Sequence, residues 1–118
     1  MIGQAKMDEL RGALEDQRDN LRKEIVELGG NPDSDDAEID VERGFADSAH
    51  STAERARLLS VMKALRANLR WVNRALRKME LGTYGTCERC GNPIPIERLD
   101  ALPWAILCVD CARKGEGR

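Results

Sequence analysis

The stretch LLSVMKALRANLRWVNRALRKM, residues 58–79, decides the fold. Leu58, Met62, Leu65, Leu69, Val72, Leu76 and Met79 fall alternately four and three residues apart, an unbroken apolar seam. A period of about 3.5 residues keeps one stripe of an α-helix facing a neighbouring helix along its length. Mostly basic residues occupy the other faces. Neither Pro nor Gly occurs in residues 45–81, so the pattern predicts one helix from about Asp47 to Glu80. Upstream, Met7, Leu14, Leu21 and Leu28 lie seven apart with Leu10 and Ile25 beside them, while Gln17 and Glu24 interrupt the second row. This first helix is the less regular of the two. Gly29-Gly30-Asn31-Pro32 ends it, because Gly accepts the left-handed conformation at a C-cap and Pro cannot continue a helix.

Two amphipathic helices in one short chain most simply fold back on each other. The expectation for residues 1–81 is a monomeric antiparallel coiled-coil hairpin with an acidic tip at about 31–49; a homodimeric coiled coil is the alternative. Phe45, Trp71, Tyr84 and Trp104 are the only aromatic side chains in 118 residues. A single rounded core of this size would ordinarily use more of them. The net charge of -2, from 19 Lys and Arg against 21 Asp and Glu, disfavours a surface that binds nucleic acid as a whole. That near-balance conceals a segregation: residues 31–47 carry a net of -6 and residues 54–80 a net of +6. The absence of an apolar run long enough to span a membrane and of a signal-type apolar N-terminus points to the cytoplasm.

All four cysteines lie near the C-terminus, as Cys87-Glu88-Arg89-Cys90 and, after seventeen residues, Cys108-Val109-Asp110-Cys111. Two C-x-x-C pairs at this separation read as a four-thiolate zinc site. Each pair can form a knuckle presenting two sulfurs, and Gly91 lets the backbone turn after the first. Disulfide pairing is the alternative, disfavoured in the cytosol. Four thiolates close the zinc shell, so the ion is read as structural. His50 is the only histidine, and no acid–base or nucleophile–base set can be assembled from it; no enzymatic activity is expected. Residues 82–118 are thus expected to be a zinc-finger module with a short C-terminal helix, and the chain as a whole all-α.

A spacing of seventeen also suits GATA-type DNA-binding fingers, but only Arg98 supplies a base between the two pairs, and the tail after Cys111 is short and partly acidic. The segment instead resembles the zinc finger of the DksA/TraR family of bacterial RNA polymerase-binding regulators. Cys87, Cys90, Ile94, Arg98, Leu99, Pro103, Cys108 and Cys111 match that family's pattern, as do Gly82-Thr83 and Tyr84-Gly85 ahead of it. The order of parts is similar too: helix, tip, helix, finger.

The resemblance implies a mechanism. Members of the family insert the hairpin into the secondary channel of RNA polymerase, bring the tip near the active centre and alter promoter-complex stability, several of them with the nucleotide ppGpp. The family tip pattern D-x-x-D-x-A aligns with Gly44-Phe45-Ala46-Asp47-Ser48-Ala49. Asp47 and Ala49 take the second Asp and the Ala, and Gly44 replaces the first Asp. A carboxylate there could act on a catalytic Mg²⁺, which prefers oxygen ligands. Arg66, Arg70, Arg74 and Arg77 follow one another along one helix side; they either pair with acidic residues of the first helix or contact an acidic partner surface or a phosphate-rich effector. Ile94, Leu99, Pro103 and Trp104 are expected beneath the zinc, and Trp71 against the first helix. The rival functions are a nucleic-acid-binding zinc protein and a coiled-coil adaptor stapled by zinc.

Overall fold

The computed structural model describes residues 2–34 and 51–115. Four helices follow in order: α1 (Gln4–Glu27), α2 (Thr52–Leu81), α3 (Ile96–Ala101) and α4 (Val109–Gly115). An isolated antiparallel bridge joins Thr86 and Pro93, and no strand occurs among the described residues. The fold is all-α, a helical hairpin followed by a C-terminal four-cysteine finger. No helix among the described residues is long and apolar enough to cross a membrane.

Both long helices stop where the sequence supplies a glycine. Gly29 and Gly82 have φ of 91° and 76°, a conformation that side chains with a Cβ adopt only at a cost. The bonds around each are those of a Schellman cap. Gly30 N–H donates to Ile25 O at 2.8 Å and Gly29 N–H to Val26 O at 3.0 Å. Thr83 N–H donates to Lys78 O at 2.9 Å and Gly82 N–H to Met79 O at 3.3 Å. The start of α2 corrects the sequence expectation. The Ser51 Oγ accepts the Glu54 amide at 3.1 Å and its hydroxyl donates to the Glu54 carboxylate at 3.2 Å. Ser51 is thus the N-cap of α2, so the helix begins at Thr52 and does not run on unbroken through Ser51 as expected; Asp47 to His50 lie outside the described residues.

The chain forms two compact units, one of residues 18–70 and one combining residues 1–17 with 71–118. In the first, Leu21 and Ile25 of α1 are buried together with Met62, Leu65 and Leu69 of α2. Complete burial of a Leu, Ile or Met side chain stabilises by about 1.5–3 kcal/mol. Arg66 belongs to this interior as well, only 3% exposed. Its Nη2 donates to the Asn31 carbonyl at 2.7 Å, satisfying a backbone acceptor just beyond the Gly29 cap.

In the second unit, Leu10 and Leu14 of α1, Val72, Ala75 and Met79 of α2, and Tyr84, Ile94, Leu99, Ala105 and Ile106 of the finger are buried. Polar ties complete it. Lys6 pairs with Asp100 at the foot of α3, the Tyr84 hydroxyl donates to Pro103 O at 2.8 Å, and the Arg98 Nε donates to Leu107 O at 3.0 Å. Trp71 departs from expectation. It is 44% exposed and, with Arg98 and Trp104, lines a hollow on the finger. Val72 takes the seam, and a neighbour one residue away on a helix points about 100° elsewhere.

Candidate functional site

The finger is built around its two knuckles. Gly91 N–H donates to Cys87 O at 3.0 Å, and Cys87 N–H donates to Asn92 O at 2.9 Å, closing a tight turn over Cys87 to Cys90. The second knuckle opens α4, where Ala112 N–H donates to Cys108 O at 2.9 Å. Glu88 N–H donates to Ile106 O at 2.9 Å and ties the first knuckle to the chain leading into the second.

This wiring gathers Cys87, Cys90, Cys108 and Cys111 so that their sulfurs all lie within 4.8 Å of one another, with Cys90 and Cys108 3.8 Å apart. Four sulfurs at a Zn–S distance of about 2.3 Å in a tetrahedron stand about 3.8 Å from each other. Cys90 and Cys108 are therefore much too far apart for a disulfide, bonded at about 2.05 Å, all four cysteines are free, and the quartet is gathered as a zinc ion needs. Cys87 and Cys111 are buried while Cys90 is exposed. Burial pushes the Cys87 thiol up, but amide N–H groups of Cys90, Cys108 and Arg89 aimed at its sulfur outweigh this and bring it to about 6. Cys111 is pushed up to about 12, first by burial and then by hydrogen bonding with the other thiols. Thiolate ligands are what zinc takes, and the knuckle amides favour that form.

Two side chains of α2 grip the first knuckle, and sequence reading missed both roles. Arg74 forms a fork on the Glu88 carboxylate, Nε to Oε1 at 3.0 Å and Nη2 to Oε2 at 2.7 Å. Lys78, one turn further on, is only 6% exposed. Its Nζ donates to the Thr86 carbonyl at 2.6 Å and lies 3.9 Å from Glu88 Oε1. Burial lowers its pKa from the ordinary lysine value, against the pull of Glu88 and Cys87. The only signal in the sequence was the step of four from Arg74 to Lys78, which puts both on one helix side.

The expected arginine row thus divides. Arg66 is buried on Asn31 rather than facing a partner. Arg74 is committed to Glu88. Arg77 is exposed and pairs with Glu80 at 2.9 Å within its own helix, and Arg70 is exposed. The tip residues Asp47 and Ala49 lie outside the described residues. Of the four residues expected beneath the zinc, Ile94 and Leu99 are buried, whereas Pro103 and Trp104 are half-buried.

Fold and site together define a helical hairpin carrying a C4-type zinc finger. Residues 82–117 match the prokaryotic dksA/traR C4-type zinc finger. The chain belongs to the DksA/TraR family. It is 30% identical to the RNA polymerase-binding transcription factor DksA of Escherichia coli over 119 residues, 99% of this chain and 76% of that protein. General stress protein 16O of Bacillus subtilis is 35% identical over 94 residues, 80% of this chain. Among solved structures, transcription factor DksA2 from Pseudomonas aeruginosa superposes with a TM-score of 0.71 at 25% identity, covering 98% of this chain and 86% of that one. The chain spans about half the length of several curated relatives it matches, 52% for the Bacillus protein.

Proposed function

We propose that this chain is a non-enzymatic, cytoplasmic transcription regulator that binds bacterial RNA polymerase as a monomer. Its hairpin enters the secondary channel, and Asp47, with Ala49 beside it, approaches the catalytic centre to alter promoter-complex stability. The similarity to Escherichia coli DksA along 99% of the chain carries this reading. Cys87, Cys90, Cys108 and Cys111 hold one structural zinc ion, which supplies folding free energy to a module too small to be stabilised by burial alone. Four thiolates leave no coordination position for water or substrate. Arg70 and Arg77 are the members of the basic row exposed at the surface, and they would meet an acidic polymerase surface or ppGpp.

The test is transcription in vitro with the cognate polymerase, titrating the protein with and without ppGpp and following open-complex lifetime. A changed lifetime is expected; an unchanged one, with no retention of the protein by polymerase, contradicts the reading. Asp47→Asn is expected to reduce the effect on transcription far more than polymerase binding. Equal loss of both would make Asp47 a docking residue.

A further inference from the structure

A buried lysine needs a negative partner, because removing an ammonium from water costs several kcal/mol unless another charge or strong acceptor compensates. Lys78 is buried, yet Glu88, the carboxylate paired with it among the described residues, is shared with a second cation. Glu88 is held by the Arg74 fork at 2.7 and 3.0 Å, while Lys78 Nζ stands 3.9 Å away. An Arg–Glu pair is neutral overall and leaves the Lys78 charge to be balanced elsewhere. The Lys78 hydrogen bond shows where. Its acceptor is the carbonyl of Thr86, which belongs to the peptide that leads into Cys87.

A dipositive zinc ion in four thiolates leaves two negative charges in excess. We propose that Lys78 is the counter-charge of this zinc site, a positioning residue that holds the first knuckle through Thr86 and stabilises the fully deprotonated, metal-loaded quartet. The proposal rests on reading the quartet as a zinc site. Arg74 serves it indirectly: by neutralising Glu88 it leaves the lysine charge to offset that of the quartet. Lys78 thereby links the last turn of α2 to metal retention in the finger.

The experiment measures zinc affinity of the full chain by competition with a chromogenic chelator, at fixed pH and ionic strength under reducing conditions. Lys78→Met, similar in length but neutral, should weaken zinc binding about 10- to 100-fold, as loss of outer-shell partners generally does. Lys78→Arg should retain most of the affinity. Charge is separated from packing in a Cys90→His background, which keeps four ligands but removes one negative charge. There the Lys78→Met penalty should shrink markedly. Should Cys90→His fail to bind metal, the same cycle with Cys108→His decides. An equal penalty in both backgrounds, an equal loss for Lys78→Arg and Lys78→Met, or no loss at all overturns the proposal. A wild-type chain that binds no zinc overturns the zinc reading itself, a result distinguishable from the others.

Discussion

Tyr84 shows how much one side chain at the entrance to the finger does. Its ring is buried and its hydroxyl donates to the Pro103 carbonyl at 2.8 Å, so the strand-like segment before Cys87 is fixed against the loop after α3. Burial, aided by the nearby Asp100 charge, raises its pKa from 10.0 to about 12. The folded state therefore keeps the phenol proton at a pH where the unfolded chain gives it up. Stability is fully present below pH 10 and is lost as pH rises towards 12. Lys6, whose pKa is raised by its hydrogen bonds to Asp100 and Glu9, shifts stability in the same direction, so the comparison must be between variants. Tyr84→Phe is expected to cost about 1 kcal/mol at neutral pH and to show a flatter fall in denaturation midpoint between pH 10 and 12 than wild type. Parallel curves for the two proteins would assign the alkaline loss to other groups.

The two long helices illustrate which features of a sequence survive translation into structure. The seam of α2 was legible because Met62, Leu65, Leu69, Val72 and Met79 repeat at the packing period and are all buried. Leu28, in contrast, continued the seven-residue row of the first helix but lies past its end and is exposed; the Gly29 cap stops the helix before the repeat does. Arg66 and Lys78 were illegible for another reason. Each sits next to a seam residue, and periodicity alone cannot say whether a long basic side chain snorkels outward or turns in towards a carbonyl. Asn31 O and Thr86 O decide that, and both belong to segments without regular structure. The Ser51 N-cap was readable but was hidden by the uninterrupted composition of residues 45–81. Ser51→Ala removes the acceptor for the Glu54 amide and is expected to destabilise by about 1 kcal/mol, seen as a lower denaturant midpoint with an unchanged slope. No shift would mean that this end of α2 is held by contacts other than its cap.

Few aromatic residues and a near-neutral total made sense only once the chain was divided. Aliphatic seams supply the interior of the helical pair, and the finger relies on four sulfurs gathered within 4.8 Å to organise a small core of Ile94, Leu99, Ala105 and Ile106. The metal site was therefore the most legible part of the molecule, since two C-x-x-C pairs carry their geometry in their spacing. Its supporting shell was not, because the Arg74, Lys78 and Glu88 arrangement joins residues 10 to 14 positions apart across a turn. Removing zinc with a strong chelator is expected to abolish protection of amides in residues 82–115 from hydrogen exchange while leaving most of the far-ultraviolet helical signal. Simultaneous loss of both would mean that the hairpin helices depend on the metal as well.

The most direct measurement places a photo-crosslinker at position 47 in the full-length chain bound to its cognate polymerase holoenzyme. Crosslinks should map to polymerase segments around the catalytic Mg²⁺ and should disappear when an established secondary-channel ligand is added in excess. Crosslinks confined to the outer surface of polymerase, or none despite demonstrated binding, would contradict entry of the hairpin into the channel.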